Sequence, residues 1–266
     1  MLYLRVVSSI IGIPIILAAV VFGDYWYAVF LMLVVNLGLF EYNAITRMHN
    51  YNAPVIINHF SASLLVALIY FEHMALIYPL LMLSFLILFA SALFNMEKTS
   101  VVGSAMSLWG VIYLGGLTGY MLLLRMLPDG LIYTFILLIG VWIHDITAYF
   151  IGVKWGIRRF ASQISPKKSV EGSLAGIGAA VILLFSATML FPGFLPFSPL
   201  QAIILALGIT VFAQLGDLLE SALKRQMVVK DSSSIIPGHG GILDRFDSLI
   251  LAAPFVYYFF LLIEMI

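Results

Sequence analysis

Residues 74–95 read MALIYPLLMLSFLILFASALFN, 22 positions without one Asp, Glu, Lys, Arg or His. About 20 apolar residues is the length that carries a helix across the hydrocarbon of a bilayer. Hydrocarbon offers no partner to an unpaired peptide group, so such a stretch must be helical unless it belongs to a closed barrel. No two-residue alternation of the barrel type appears. Working outward by the same criterion, spans are expected near 6–23, 25–42, 54–71, 101–127, 131–153, 173–191, 200–223 and 248–265. The chain has 266 residues, 63% hydrophobic and 10% charged, with a mean hydropathy of +1.10. These values exclude a soluble globular class. The expected fold is all-α, a polytopic integral membrane protein with about nine transmembrane helices.

The first segment, Arg5 followed by the apolar run from Val6 to Phe22, imitates a secretory signal. No polar, small-residue cleavage region follows it, so it is expected to stay as the first span. Thirteen basic and thirteen acidic residues cancel, and bulk charge predicts no partner, nucleic acid included. With no cysteine there is neither a disulfide framework nor a thiolate site.

Basic residues collect in cytoplasmic loops. With the N-terminus inside and nine spans, twelve of the thirteen Lys and Arg residues fall inside, and only Arg125 falls outside. Two cytoplasmic loops, 154–172 and 224–247, are long, basic and rich in Gly, Ser and Pro. They divide the chain into an N-terminal scaffold, 1–130, and a C-terminal catalytic region, 131–266, in which the chemistry concentrates.

An ionisable side chain inside a span costs at least about 2.5 kcal/mol at the helix centre and is a functional candidate. Asp145 in span six and Asp217 in span eight meet that description, both in the cytoplasmic half. Around Asp217, Gln214, Ser221 and Lys224 recur at steps of three and four, which places them on one helical stripe. That stripe faces protein or water, as an interhelical hydrogen-bond seam or as the wall of a site. As a cation relay, Asp145 and Asp217 would belong instead to a transporter, which predicts inverted repeats and midplane carboxylates. Neither is found.

The following loop contains Lys224-Arg225, Lys230-Asp231 and then Pro237-Gly238-His239-Gly240-Gly241-Ile242-Leu243-Asp244-Arg245-Phe246-Asp247. Gly240, Gly241 and their neighbours describe a tight turn whose peptide N–H groups can converge on an anion, with His239 touching phosphate or stabilising the turn. Asp231, Asp244 and Asp247 among cations are hard oxygen donors that suit Mg²⁺ held jointly with substrate phosphates. Asp247 has a second reading, as the cap of a helix beginning at Ser248. In the other loop, Ser165-Pro166-Lys167-Lys168-Ser169 reads as a turn presenting two cations, and Arg158 and Arg159 suit a headgroup interface or ordinary topology.

From Ser221 to Asp247 the residues resemble, position by position, the signature of phosphatidate cytidylyltransferases: S-x-apolar-K-R, four residues, K-D, then P-G-H-G-G-apolar-x-D-R-apolar-D. Trp142 to Gly152 and Ser165 to Gly172 are similar to the family as well. Ser169-Val170 stands where the family usually has Thr and an aromatic residue, and Ser232-Ser233 where Phe-Gly is common. The resemblance implies transfer of CMP from CTP to phosphatidic acid, giving CDP-diacylglycerol and pyrophosphate, with Mg²⁺ and a second divalent or monovalent cation as an option. By position it implies that Asp217 and Asp244 hold the metal centre, with Ser221 beside it. Lys167, Lys168, Lys224, Arg225, Lys230 and Arg245 would serve phosphates, and Asp145, Asp231 and Asp247 would be supporting acids. A homodimer and a site on the cytoplasmic side of a bacterial inner membrane complete the expectation. A lipid kinase is the competing enzyme, whereas a CDP-alcohol phosphatidyltransferase would show a D-G-x-x-A-R-type motif, which is absent.

Overall fold

The computed structural model describes residues 2–264 apart from Ala53, Phe194, Pro196 and His239. Ten α-helices follow one another: α1 (Leu2–Phe22), α2 (Asp24–Arg47), α3 (Val55–Tyr70), α4 (Ile77–Phe94), α5 (Val101–Gly110), α6 (Leu117–Met126), α7 (Gly130–Trp155), α8 (Val170–Leu190), α9 (Pro199–Gln226) and α10 (Leu243–Glu264). One 3₁₀ turn, Met74–Leu76, leads into α4, and a π-helical turn, Val111–Gly116, joins α5 to α6. Among the described residues there is no strand, only isolated bridges at Arg159–Ser169 and Ile236–Gly240.

Seven of the helical segments are long and apolar enough to cross a membrane; the apolar stretches Val6–Phe22 and Val55–Tyr70 are shorter. At 1.5 Å per residue the 16-residue α3 reaches only about 24 Å, short of a hydrocarbon layer of about 30 Å. The nine expected segments are thus all helical, and seven satisfy the length criterion. Leu83, Phe85, Leu86 and Ile87 of α4 are exposed, an outward apolar surface that suits lipid. The chain is an integral membrane protein.

Two compact units are distinguishable: residues 1–131 with 223–246, and residues 132–222 with 247–266. In the first, α2 buries Tyr27, Leu31, Leu39 and Tyr42. Polar side chains add to apolar packing: Asn58 Nδ2 donates to Asn43 Oδ1 at 3.0 Å, Asn36 Nδ2 to Ser63 Oγ at 2.9 Å, and the Ser107 hydroxyl to Asn58 Oδ1. Such bonds join helices where the hydrophobic effect gives no preference between lipid and protein. The loop 227–242 belongs to this unit, and at its end Leu243 packs over Gly38 of α2 while Phe246 meets Phe30.

In the second unit, small residues let backbones approach. A Cβ on Gly172 of α8 would lie 2.6 Å from the Ala148 carbonyl oxygen of α7, and one on Gly140 would lie 3.2 Å from the Ile209 side chain of α9. The buried stripe of α9 runs Ala202, Leu205, Ala206, Ile209, Thr210, Ala213, Gly216 and Glu220, the three-and-four spacing of one helical face.

Candidate active site

In the second unit, α9 carries Asp217 one residue beyond Gly216, which touches α10 so closely that a Cβ would strike the Asp247 carbonyl oxygen. Lys168 closes a salt bridge to Asp217, Nζ to Oδ2 at 2.7 Å, with side-chain exposures of 20% and 35%. The Ser221 hydroxyl, one turn along, donates to Asp217 Oδ1 at 3.2 Å. Lys168 is delivered by a turn, its N–H donating to the Ser165 carbonyl at 3.2 Å, followed by Ser169, whose side chain caps α8 by accepting from the Gly172 N–H at 3.1 Å. Glu171 ties down the start of that loop by accepting from the N–H groups of Ile157 at 3.1 Å and Arg158 at 3.2 Å. The exposed Arg159 donates to the Lys167 carbonyl at 2.6 Å, and the Lys167 side chain is exposed as well.

Gln214, on the expected stripe, accepts from the Ser173 hydroxyl of α8, so that residue forms the interhelical seam while Asp217 meets the lysine and Ser221 meets Asp217. Asp145 of α7 is exposed, beside the buried His144. The helix α10 begins at Leu243 and not at Ser248, so Asp247 lies inside it, buried, and is not its cap. The capping reading of Asp247 is corrected: the first turn of α10 takes up Leu243 to Phe246, part of the expected loop.

In the first unit, Asp244 is the hub of the glycine-rich loop. Its Oδ1 pairs with the Lys224 ammonium, and its Oδ2 accepts from the Ser232 N–H at 3.0 Å, the Ser232 hydroxyl at 2.8 Å and the Gly241 N–H at 2.8 Å. The turn between is tight: the Ile236 N–H donates to the Gly240 carbonyl at 2.9 Å, and Gly238 and Gly240 have φ of 79° and 85°, the left-handed region that glycine enters without steric cost. A Cβ on Gly240 would lie 2.7 Å from Asp244 Oδ2. Arg225, Lys230, Asp231 and Arg245 are exposed around this loop. His239, expected to contact phosphate, lies outside the described residues.

The sequence reading missed Glu41. This carboxylate of α2 is 1% exposed and accepts from Ser233 Oγ at 2.6 Å, Ile242 N–H at 2.9 Å and Leu243 N–H at 2.9 Å; Ser232 Oγ lies 3.1 Å away, its one proton shared with Asp244. Its one sequence signal is an acid between Phe40 and Tyr42 at the end of an apolar run, the intramembrane carboxylate pattern noticed at Asp217.

Among the described residues no three His, Asp or Glu side chains cluster as a ready-made metal cage. Mg²⁺ does not need one, since it is usually held through one or two carboxylates and substrate phosphates. Asp217 fits that role best: it is accessible, and among the described residues its Oδ1 accepts from one hydroxyl, that of Ser221. Asp244 already holds a cation, the Lys224 ammonium, at Oδ1, so that oxygen is placed for positive charge.

Gly216→Ala is expected to lower both thermal stability and activity. The added methyl meets backbone, which cannot rotate away, and overpacking costs about 1–3 kcal/mol. Comparison of thermal midpoints in detergent checks it, and an unchanged midpoint would mean that α9 and α10 pack less closely there.

These features define a class: a polytopic membrane protein in which aspartates near helix ends are neutralised by lysines, Lys168 from a basic loop and Lys224 from the last turn of α9. The chain belongs to the cytidylyltransferase family, whose model matches residues 3–263. It is therefore an enzyme, a nucleotidyltransferase, and the resemblance read from Ser221 to Asp247 stands. A phosphatidate cytidylyltransferase of Synechocystis is 33% identical over 97% of this chain and 96% of its own length. One from Bacillus subtilis is 44% identical over 55% of this chain and 54% of its own, and one from Staphylococcus aureus is 37% identical over 66% and 65%.

Proposed function

We propose that this chain transfers CMP from CTP to phosphatidic acid, forming CDP-diacylglycerol and releasing pyrophosphate. The observation that carries the reading is that both signature aspartates are held against lysines, Asp217 by Lys168 and Asp244 by Lys224. The relatives' names supply the substrate class. The phosphate monoester of phosphatidic acid is already a nucleophile. Its oxygen bonds to the α-phosphorus of CTP while the bond from that phosphorus to the bridging oxygen breaks, and both electrons leave with pyrophosphate. Such a step requires in-line positioning and charge neutralisation far more than a general base.

The residues divide accordingly. Lys167, Lys168, Lys224, Arg225, Lys230 and Arg245 neutralise phosphate oxygens, arginine offering a two-pronged donor and lysine a point charge. The N–H groups of the glycine turn, with His239, serve the triphosphate. Asp217 and Asp244 are the residues that would hold Mg²⁺, alone or with a second divalent or monovalent cation, and the metal supplies charge neutralisation on the transferred phosphate. Ser221 orients Asp217, and Asp145, Asp231 and Asp247 support the neighbouring cations. The first 130 residues serve as scaffold and the remainder as the catalytic region. The protein sits in the bacterial inner membrane with its N-terminus and both long loops in the cytoplasm, where CTP arrives from water and acyl chains stay in lipid, and it acts as a homodimer.

The test uses the protein in detergent micelles with phosphatidic acid, Mg²⁺ and CTP labelled at either the α or the γ phosphate. Label in lipid from the α position alone is the expected result. Transfer of γ label would make the protein a lipid kinase, and no lipid-borne label with folded protein would overturn the reading.

A further inference from the structure

We infer that Glu41 of α2 is a positioning residue for nucleotide binding: it clasps the two ends of the loop 232–243 so that the glycine turn is held ready for phosphate. The inference rests on the proposed cytidylyl transfer and goes beyond it, since Glu41 lies outside the signature in sequence.

The donors to Glu41 come from both ends of one loop. Ser232 and Ser233 stand before the turn, Ile242 and Leu243 after it, and the carboxylate joins them. The Ile242 and Leu243 N–H groups belong to the start of α10, where peptide donors lack intrahelical partners. A carboxylate placed there completes those hydrogen bonds and lies at the positive end of the helix dipole. Glu41 therefore caps α10 from another helix, and a carboxylate as buried as this persists only when so engaged.

The arrangement fixes the turn from a second side. Ser232 Oγ lies between Glu41 Oε2 and Asp244 Oδ2, so both acids bear on the same hydroxyl. A Cβ on Gly241 would lie 2.5 Å from Glu41 Oε2 and would collide with Ser232 Oγ, so the residue at the turn's exit must be glycine for the clasp to close. Because Glu41 takes the Ile242 and Leu243 N–H groups and Asp244 takes that of Gly241, these three donors are spent on shape. The phosphates are left to the earlier part of the turn and to the exposed cations. Glu41 itself, 1% exposed, touches no substrate.

Glutamine has the same shape but one acceptor oxygen, so in Glu41→Gln an amide donor faces donors of the loop. Displacing a binding group by about 1 Å can cost about 100-fold, and loss of an outer supporting contact about 10- to 100-fold. In folded Glu41→Gln the KM for CTP is expected to rise about 10-fold or more, with a smaller change in kcat and in the KM for phosphatidic acid. Amide hydrogen exchange across 232–243 is expected to speed up in the same protein without substrate. Glu41→Asp, which keeps the charge, should restore part of both. A lower thermal midpoint with an unchanged KM for CTP and unchanged exchange would overturn the inference, since it would leave Glu41 a stabilising role only. If Glu41→Gln does not fold, Ser233→Ala decides: about a 2- to 5-fold rise in that KM supports the clasp, in line with loss of one hydrogen bond, and no change refutes it. If the wild type transfers no CMP, the functional reading has failed, and the exchange measurement still tests the clasp.

Discussion

Asp217→Asn is expected to lower CMP transfer by more than about 100-fold while leaving the protein folded. The carboxylate offers an accessible oxygen to a hard cation, and the amide that replaces it has the same shape without the charge. Removing even an outer partner of a metal ligand costs about 10- to 100-fold, so removing a ligand should cost more. The cost in stability is small because the Lys168–Asp217 pair is partly exposed, and such pairs contribute no more than about 1 kcal/mol. The measurement is lipid-borne α label per folded protein, alongside the thermal midpoint. Retention of more than about a tenth of the wild-type rate would remove Asp217 from the metal centre.

Asp244→Asn should be as inactive, for a partly different reason. Its carboxylate joins Lys224, Ser232 and Gly241, whereas asparagine has one acceptor oxygen. If that oxygen keeps Ser232 and Gly241, the amide NH₂ faces the Lys224 ammonium and the two donors repel. If it turns over, the loop loses its acceptor. A buried donor left without a partner costs about 1–3 kcal/mol, so this variant is expected to lose activity, thermal stability and amide protection in the loop together. Asp217→Asn should leave the loop's protection intact. Equal protection in the two variants would mean that Asp244 does not organise the loop.

The helical segments were legible because the length and apolarity of each are local properties. The stripe of Asp217, Ser221 and Lys224 was legible for the same reason: all three lie within α9, and spacing alone puts them on one face. The start of α10 was less so, because Leu243 to Phe246 includes two charged residues that an apolarity criterion assigns to a loop. The partner of Asp217 could not be read either, since several lysines follow Asp145 and nothing in their spacing singles out Lys168. Glu41 was the largest omission. The hydroxyl of Ser232 that it receives lies 191 positions away, and no periodicity within α2 encodes a contact at that separation. Glu41 sits in α2, inside the segment 1–130 expected as scaffold, where no motif drew attention to it.

The π-helical turn of Val111–Gly116 lets one membrane-crossing segment present two differently directed faces. Each turn of that kind holds one residue more than an α-helical turn, and one residue corresponds to about 100° of rotation. The wide turn therefore re-aims the helix part-way across the membrane. Before it Ser104 and Ser107 face inward, after it Thr118, Gly119 and Leu122 do, and Gly115 sits against Ala62 of α3 at the crossing. Six residues at this wider pitch turn the chain through less angle than regular helix would, so the buried face of α5 packs chiefly on α4 whereas that of α6 packs on α2 and α3.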